Sequence, residues 1–150
     1  MSSSMMHSQA HTRQSATHPM VATDVVILAS VVGFILSFFH WYGVSNAGGS
    51  ITMNGWHGWG VVTSILFLVG ALLSIGRTMG ITPGTAMSES GLLTAMGIAA
   101  IVCTIIFMVT EGNGYGAGYS KGPLYGAVIG LICAIVMTLS ALMVARESDT

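Results

Sequence analysis

The residues best equipped for chemistry in this chain are imidazoles, thioethers and thiols, and their spacing decides how far that chemistry can go. His40 and His57 flank a polar stretch with Met53 between them, a set of soft ligands of the kind that holds copper or haem iron. Such ligation needs side chains that converge, and a haem inside a membrane protein needs histidines deep within facing helices. Both histidines instead sit at the ends of apolar runs, where hydrogen bonding to water or headgroups accounts for them. The N-terminal Met5, Met6, His7, His11, His18 and Met20 offer the same ligand types with no repeating spacing. No metal site and no cofactor is therefore expected. Cys103 and Cys133 lie inside apolar runs with no C-x-x-C and no basic neighbour, so they read as small packing residues.

Catalysis finds little support. There is no nucleophile with its base, no paired carboxylates and no phosphate loop. The stretch from Glu111 to Tyr119 is glycine-rich, but it follows an apolar run rather than a strand and reads as a turn, with Pro123 starting the next helix. The chain is not expected to be an enzyme.

The elements that carry these residues follow from composition. Hydrophobic residues make up 53% of the 150 and charged residues only 6%, with a mean hydropathy of +0.79. A soluble domain carries about a quarter charged residues. The surface must therefore face lipid. A net charge of −1 without any Lys/Arg cluster leaves no footprint for nucleic acid.

Crossing ~30 Å of hydrocarbon takes about 20 helical residues. Four runs qualify: Val25 to Tyr42, Trp59 to Ile75, Gly91 to Thr110 and Leu124 to Ala145. Every acidic and basic residue lies outside these runs or at their edges. The first run is too long, and its leading segment too polar, for a cleaved signal peptide. The expected fold is all-α, an up-down-up-down four-helix transmembrane bundle over residues 21–147 that follows a disordered Ser/His/Gln-rich tail over residues 1–20.

Lys and Arg are retained on the cytoplasmic side of a membrane. Arg13, Arg77 and Arg146 fall on one side of this layout and Lys121 on the other, which puts both termini in the cytoplasm. Trp41, Tyr42, Trp56, Trp59, Tyr115, Tyr119 and Tyr125 all gather at the outer side. They read as interfacial anchors, or alternatively as an outward contact surface for a lipid or partner.

Small residues at four-residue spacing let helices approach closely in lipid. Ala29, Gly33 and Ser37 form one such stripe, and Gly126, Gly130 and Ala134 another, continued by Thr138. They hold either the bundle itself or a second subunit. The span interiors carry hydroxyls such as Thr63, Ser64, Ser74 and Thr104 but no ionisable group, which counts against proton coupling.

The stretches His40-Trp41-Tyr42-Gly43-Val44-Ser45 and Asn54-Gly55-Trp56-His57-Gly58-Trp59 support a family resemblance. They resemble small four-helix membrane proteins common in actinobacteria, in which an outer Trp-Tyr-x-Val-Ser turn precedes an Asn-x-Trp lead into the second helix. The resemblance covers the first hairpin and the four-span layout. It implies a multi-pass protein of a bacterial plasma membrane and transfers no catalytic residue.

The expected function is a non-catalytic accessory, assembly or scaffold subunit. Its partners would be membrane lipid and either further copies of itself or other membrane-protein subunits. A small-solute or ion permeation protein working as an oligomer is the alternative, and a metal- or haem-linked redox protein the third reading.

Overall fold

The computed structural model describes residues 18–81, 84, 88–111 and 118–148, with the side chains of 18–20 and 147–148 left aside. The expected tail over residues 1–20 lies outside the described residues except at its end, where the first helix already begins. Four helices dominate: α1 (His18–Leu36), α2 (Gly60–Thr78), α3 (Glu89–Thr110) and α4 (Tyr125–Ser148). Each packs on its two neighbours, α1 on α2 and α4, α3 on α2 and α4, which closes a ring in chain order.

The all-α expectation is corrected by three short strands at one end of the ring. These are β1 (His40–Asn46), β2 (Gly49–Asn54) and β3 (Ser120–Pro123). They form one antiparallel sheet in the order β2-β1-β3. The first helix consequently stops at Leu36 rather than running to Tyr42.

The physical reason lies in the last carbonyls of α1, which an isolated helix end leaves without partners. Trp41 Nε1 donates to Leu36 O at 2.8 Å, and Gly55 N donates to Ser37 O at 2.8 Å. Phe39 N also reaches Leu36 O at 3.0 Å, whereas the bond from Gly55 to Ser37 O forms only if the chain turns back. Beyond that point Trp41, Tyr42 and Val44 favour extended backbone. The hairpin turn follows from Asn46, whose Oδ1 accepts from Gly48 N at 2.9 Å, and from Gly49 at φ 150°.

The other ends follow local rules. Gly80, at φ 76°, ends α2 in a left-handed turn, with Ile81 N donating to Gly76 O at 2.9 Å. Ser88 caps α3 by accepting from Gly91 N at 3.3 Å, and Glu89 lies in the first turn, where a negative charge suits the helix dipole.

Three helices are long and apolar enough to cross a membrane: Gly60–Thr78, Glu89–Thr110 and Tyr125–Arg146. The apolar part of α1, Val21–Leu36, is shorter. At 1.5 Å per residue it covers about 24 Å.

Between the helices the fully buried Phe67 and Met137 cluster with Ala100, Ala134 and Ala141, and the fully buried Phe107 belongs to a second cluster with Trp41. The outward faces are apolar too, with Leu28, Leu72, Val109 and Met143 each about 60% exposed or more (64%, 61%, 67% and 60%). Large apolar side chains on both faces of a helix are what lipid permits and water does not.

Candidate functional site: the end sheet and its tryptophan plug

The sheet stands over the end of the ring where α1 and α3 finish and α2 and α4 begin. Trp41 anchors it there. Its indole is fully buried and meets the Phe107 ring edge to face, with centroids 5.7 Å apart. Tyr42, 4% exposed, meets the same ring at 6.2 Å.

Two glycines make room for the indole. A Cβ on Gly126 would stand 2.7 Å from Trp41 Cδ1 and 2.6 Å from His40 O. One on Gly130 would stand 3.0 Å from Trp41 Cζ2. Leu124 N then donates to Trp41 O at 2.8 Å, tying the strand to the start of α4.

The small-residue stripes thus face inward. Gly33 receives the Phe67 ring, whose Cε1 would lie 2.7 Å from an added Cβ. Ala29, Ser37 and Ala134 are buried, and Ser37 Oγ donates to Phe34 O at 2.6 Å. In α2, Gly70 receives the end of Met137, and Ser30 Oγ donates to Met137 Sδ at 3.4 Å.

The seven aromatics expected at the outer side separate into groups. Trp41 and Tyr42, expected as interfacial anchors, are instead core residues, because the strand turns them onto the helix ends. Trp56 is half-buried against Phe34 and Phe38, with centroids 6.2 and 5.5 Å away. Trp59, Tyr119 and Tyr125 are exposed, at 49%, 42% and 53%. Tyr115 lies outside the described residues.

The candidate soft ligands part company in the same way. Met53 packs against the Trp41 cluster, whereas His40 and His57 are both exposed. The register sets His40 opposite Asn54, and Asn54 Oδ1 lies 2.9 Å from His57 Nδ1. Among the described residues no three His, Cys, Asp or Glu side chains gather as a metal site. Cys133 is buried and Cys103 half-buried, and both are free thiols.

On the sheet itself the period of two sorts the residues. Val44 points inward at 3% exposure. Its neighbours Gly43 and Ser45 stand opposite Thr52 and Ser50 on one flank and Gly122 and Ser120 on the other. The face turned away from the helices is therefore made of hydroxyls and glycines, with the Leu124 side chain close over Gly43. Beside it lies an open cavity of about 350 Å³, lined in part by Ser45, Ser50, Thr52, Ser120 and Lys121.

Sequence reasoning missed this sheet. The signal was present in the alternation of Trp41 to Ser45 and of Ile51 to Met53 around Asn46-Ala47-Gly48-Gly49.

Fold and site together define a mostly helical protein of membrane-spanning character with a small sheet at one end. No protein-family model, curated protein or solved structure matches the chain.

Proposed function

We propose that the chain is a non-catalytic membrane subunit of a bacterial plasma membrane that recognises its partners at the outer sheet. In this reading α1 crosses the membrane together with the three longer helices. Both termini are cytoplasmic, as the placement of Arg77 and Arg146 opposite Lys121 suggests.

The observation that carries the reading is the seating of Trp41 on Gly126 and Gly130. It fixes a sheet of exposed hydroxyls and backbone on a rigid helical base, the arrangement that binding surfaces use. Because the glycine stripes are filled from within, lateral helix stripes no longer supply the contact surface. The accessory role therefore moves to the sheet.

The permeation reading draws on the buried hydroxyls Ser30, Thr63, Ser74, Thr104 and Thr138. Thr104 Oγ1 donates to Ala100 O and Thr138 Oγ1 to Ala134 O, both at 2.7 Å, so these two are occupied by their own helices. Ser30 Oγ is bonded to Met137 Sδ, and Ser74 Oγ alone is left without a partner among these five. The fully buried Phe67 and Met137 fill the space between them, which favours the subunit reading.

Affinity purification of the tagged chain in mild detergent, followed by native mass determination, tests the proposal. A stoichiometric assembly that is lost when Ser50 and Thr52 are changed together supports it. A homo-oligomer with no other partner that conducts solute in liposomes would overturn it in favour of permeation.

A further inference from the structure

The two edges of the sheet are not alike. β3 is the short edge, it ends in Pro123 and it carries Lys121. A charge and a proline are the usual devices that stop an edge from pairing with another strand. β2 is the longer edge, Gly49–Asn54, and has neither. Its first four residues are exposed, Ile51 at 60%, and its far side faces no other strand among the described residues.

We infer that β2 is a homotypic docking edge that pairs antiparallel with β2 of a second copy of this chain. The inference rests on the membrane-subunit reading above, because the membrane supplies the geometry. Copies inserted in one bilayer share orientation and depth, so a twofold axis between them runs along the membrane normal. The sheet lies across the helix ends, with Trp41, Tyr42 and Val44 turned down onto them. Such an axis crosses the sheet roughly at right angles and brings β2 to β2 in antiparallel register.

The strand suits that operation. In an isologous pair every residue near the axis meets itself or a close neighbour, so a charge there would meet a like charge. Gly-Ser-Ile-Thr-Met-Asn carries no charge. An axis at Ile51 sets Ile51 against Ile51 and Ser50 against Thr52. The exposed apolar residue of the strand is then covered, and hydroxyls face hydroxyls. The two three-stranded sheets become one of six strands, with the Lys- and Pro-bearing β3 at both outer edges.

Cysteine cross-linking of the full chain in native membranes, with an impermeant oxidant, tests this directly. Ile51→Cys should give a disulfide-linked dimer, and Ser45→Cys on the central strand should not. Wild type, which retains Cys103 and Cys133, controls for the native thiols. In mild detergent, Ile51→Lys should weaken the dimer by about tenfold or more because like charges meet at the axis. Compared as monomers, at dilutions below dimerisation, variant and wild type should unfold alike, since the side chain is exposed.

Absence of cross-links from Cys at 50, 51 and 52, or an Ile51→Lys dimer of undiminished stability, overturns the homotypic edge. Loss of a foreign partner on Ile51→Lys, with wild type itself not dimeric, also overturns it while leaving the subunit reading intact. Release of the chain from membranes by alkaline carbonate would instead defeat the membrane reading itself.

Discussion

Trp41 and Gly126 are 85 residues apart in the chain (126 − 41) and form one joint: the indole occupies the volume that a side chain at 126 would need. Around this joint the end of α1, the sheet and the start of α4 are held together. Trp41 Nε1 reaches Leu36 O, and Trp41 O accepts from Leu124 N.

Trp41→Ala should therefore destabilise the fold by about 3–5 kcal/mol, the range for emptying a large aromatic site. Trp41→Phe keeps much of the volume and removes only the indole N–H bond to Leu36 O, which still accepts from Phe39 N, and should cost less. Thermal unfolding in a fixed detergent gives both values. An alanine variant as stable as wild type would remove the plug from the account.

Gly126→Leu should fail as a monomer, not merely as an oligomer. The new side chain would meet both the indole and His40 O within 2.7 Å. Gly130→Ala, whose Cβ would stand 3.0 Å from the indole, should be milder. Monomer yield and unfolding temperature in micelles separate a folding defect from an assembly defect. A stable, monodisperse Gly126→Leu monomer would return the stripe to a role between subunits.

Thr104 Oγ1 lies 3.3 Å from Thr63 Oγ1 between α3 and α2, with both residues fully buried. Hydroxyl pairs between membrane helices couple by about 0.6 kcal/mol on average. A double-mutant cycle through Thr63→Val and Thr104→Val should find a coupling of about that size. Additive losses would show that each hydroxyl serves only its own helix.

Accessibility to impermeant thiol reagents should divide the molecule at the membrane. Ser50→Cys and Ser120→Cys should label from outside intact cells. Met79→Cys, at the exposed end of α2 (71%), should label only after permeabilisation. The reverse pattern would place the sheet in the cytoplasm.

What the sequence revealed and what it concealed divide along physical lines. α2, α3 and α4 are long apolar runs bounded by charges, a signal that composition alone carries, so their positions were legible to within a few residues. α1 was misplaced because apolarity cannot distinguish a helix from a buried strand, and Phe38-Phe39-His40-Trp41-Tyr42 is apolar enough for either. The stripe Gly126, Gly130 and Ala134 was legible as a close approach, but not what approaches. A glycine shows that space is needed, and the indole that takes it comes from the far end of the chain. The sheet was hidden because β3 is four residues long and its partner strand lies some 75 residues earlier (120 − 45).

That distant pairing sets an order of events during synthesis. α1, β1, β2 and α2 are complete once Thr78 has been made, and β1 can pair with β2 straight away. Its other edge must wait for Ser120–Pro123, and the slot for Trp41 is not built until Gly130 has left the ribosome. For the 52 residues from Met79 to Gly130 (130 − 78) a large indole on the first hairpin thus has no finished socket. At about 5–20 residues per second that interval lasts a few seconds. It is in this window that the unseated indole is open to premature contacts.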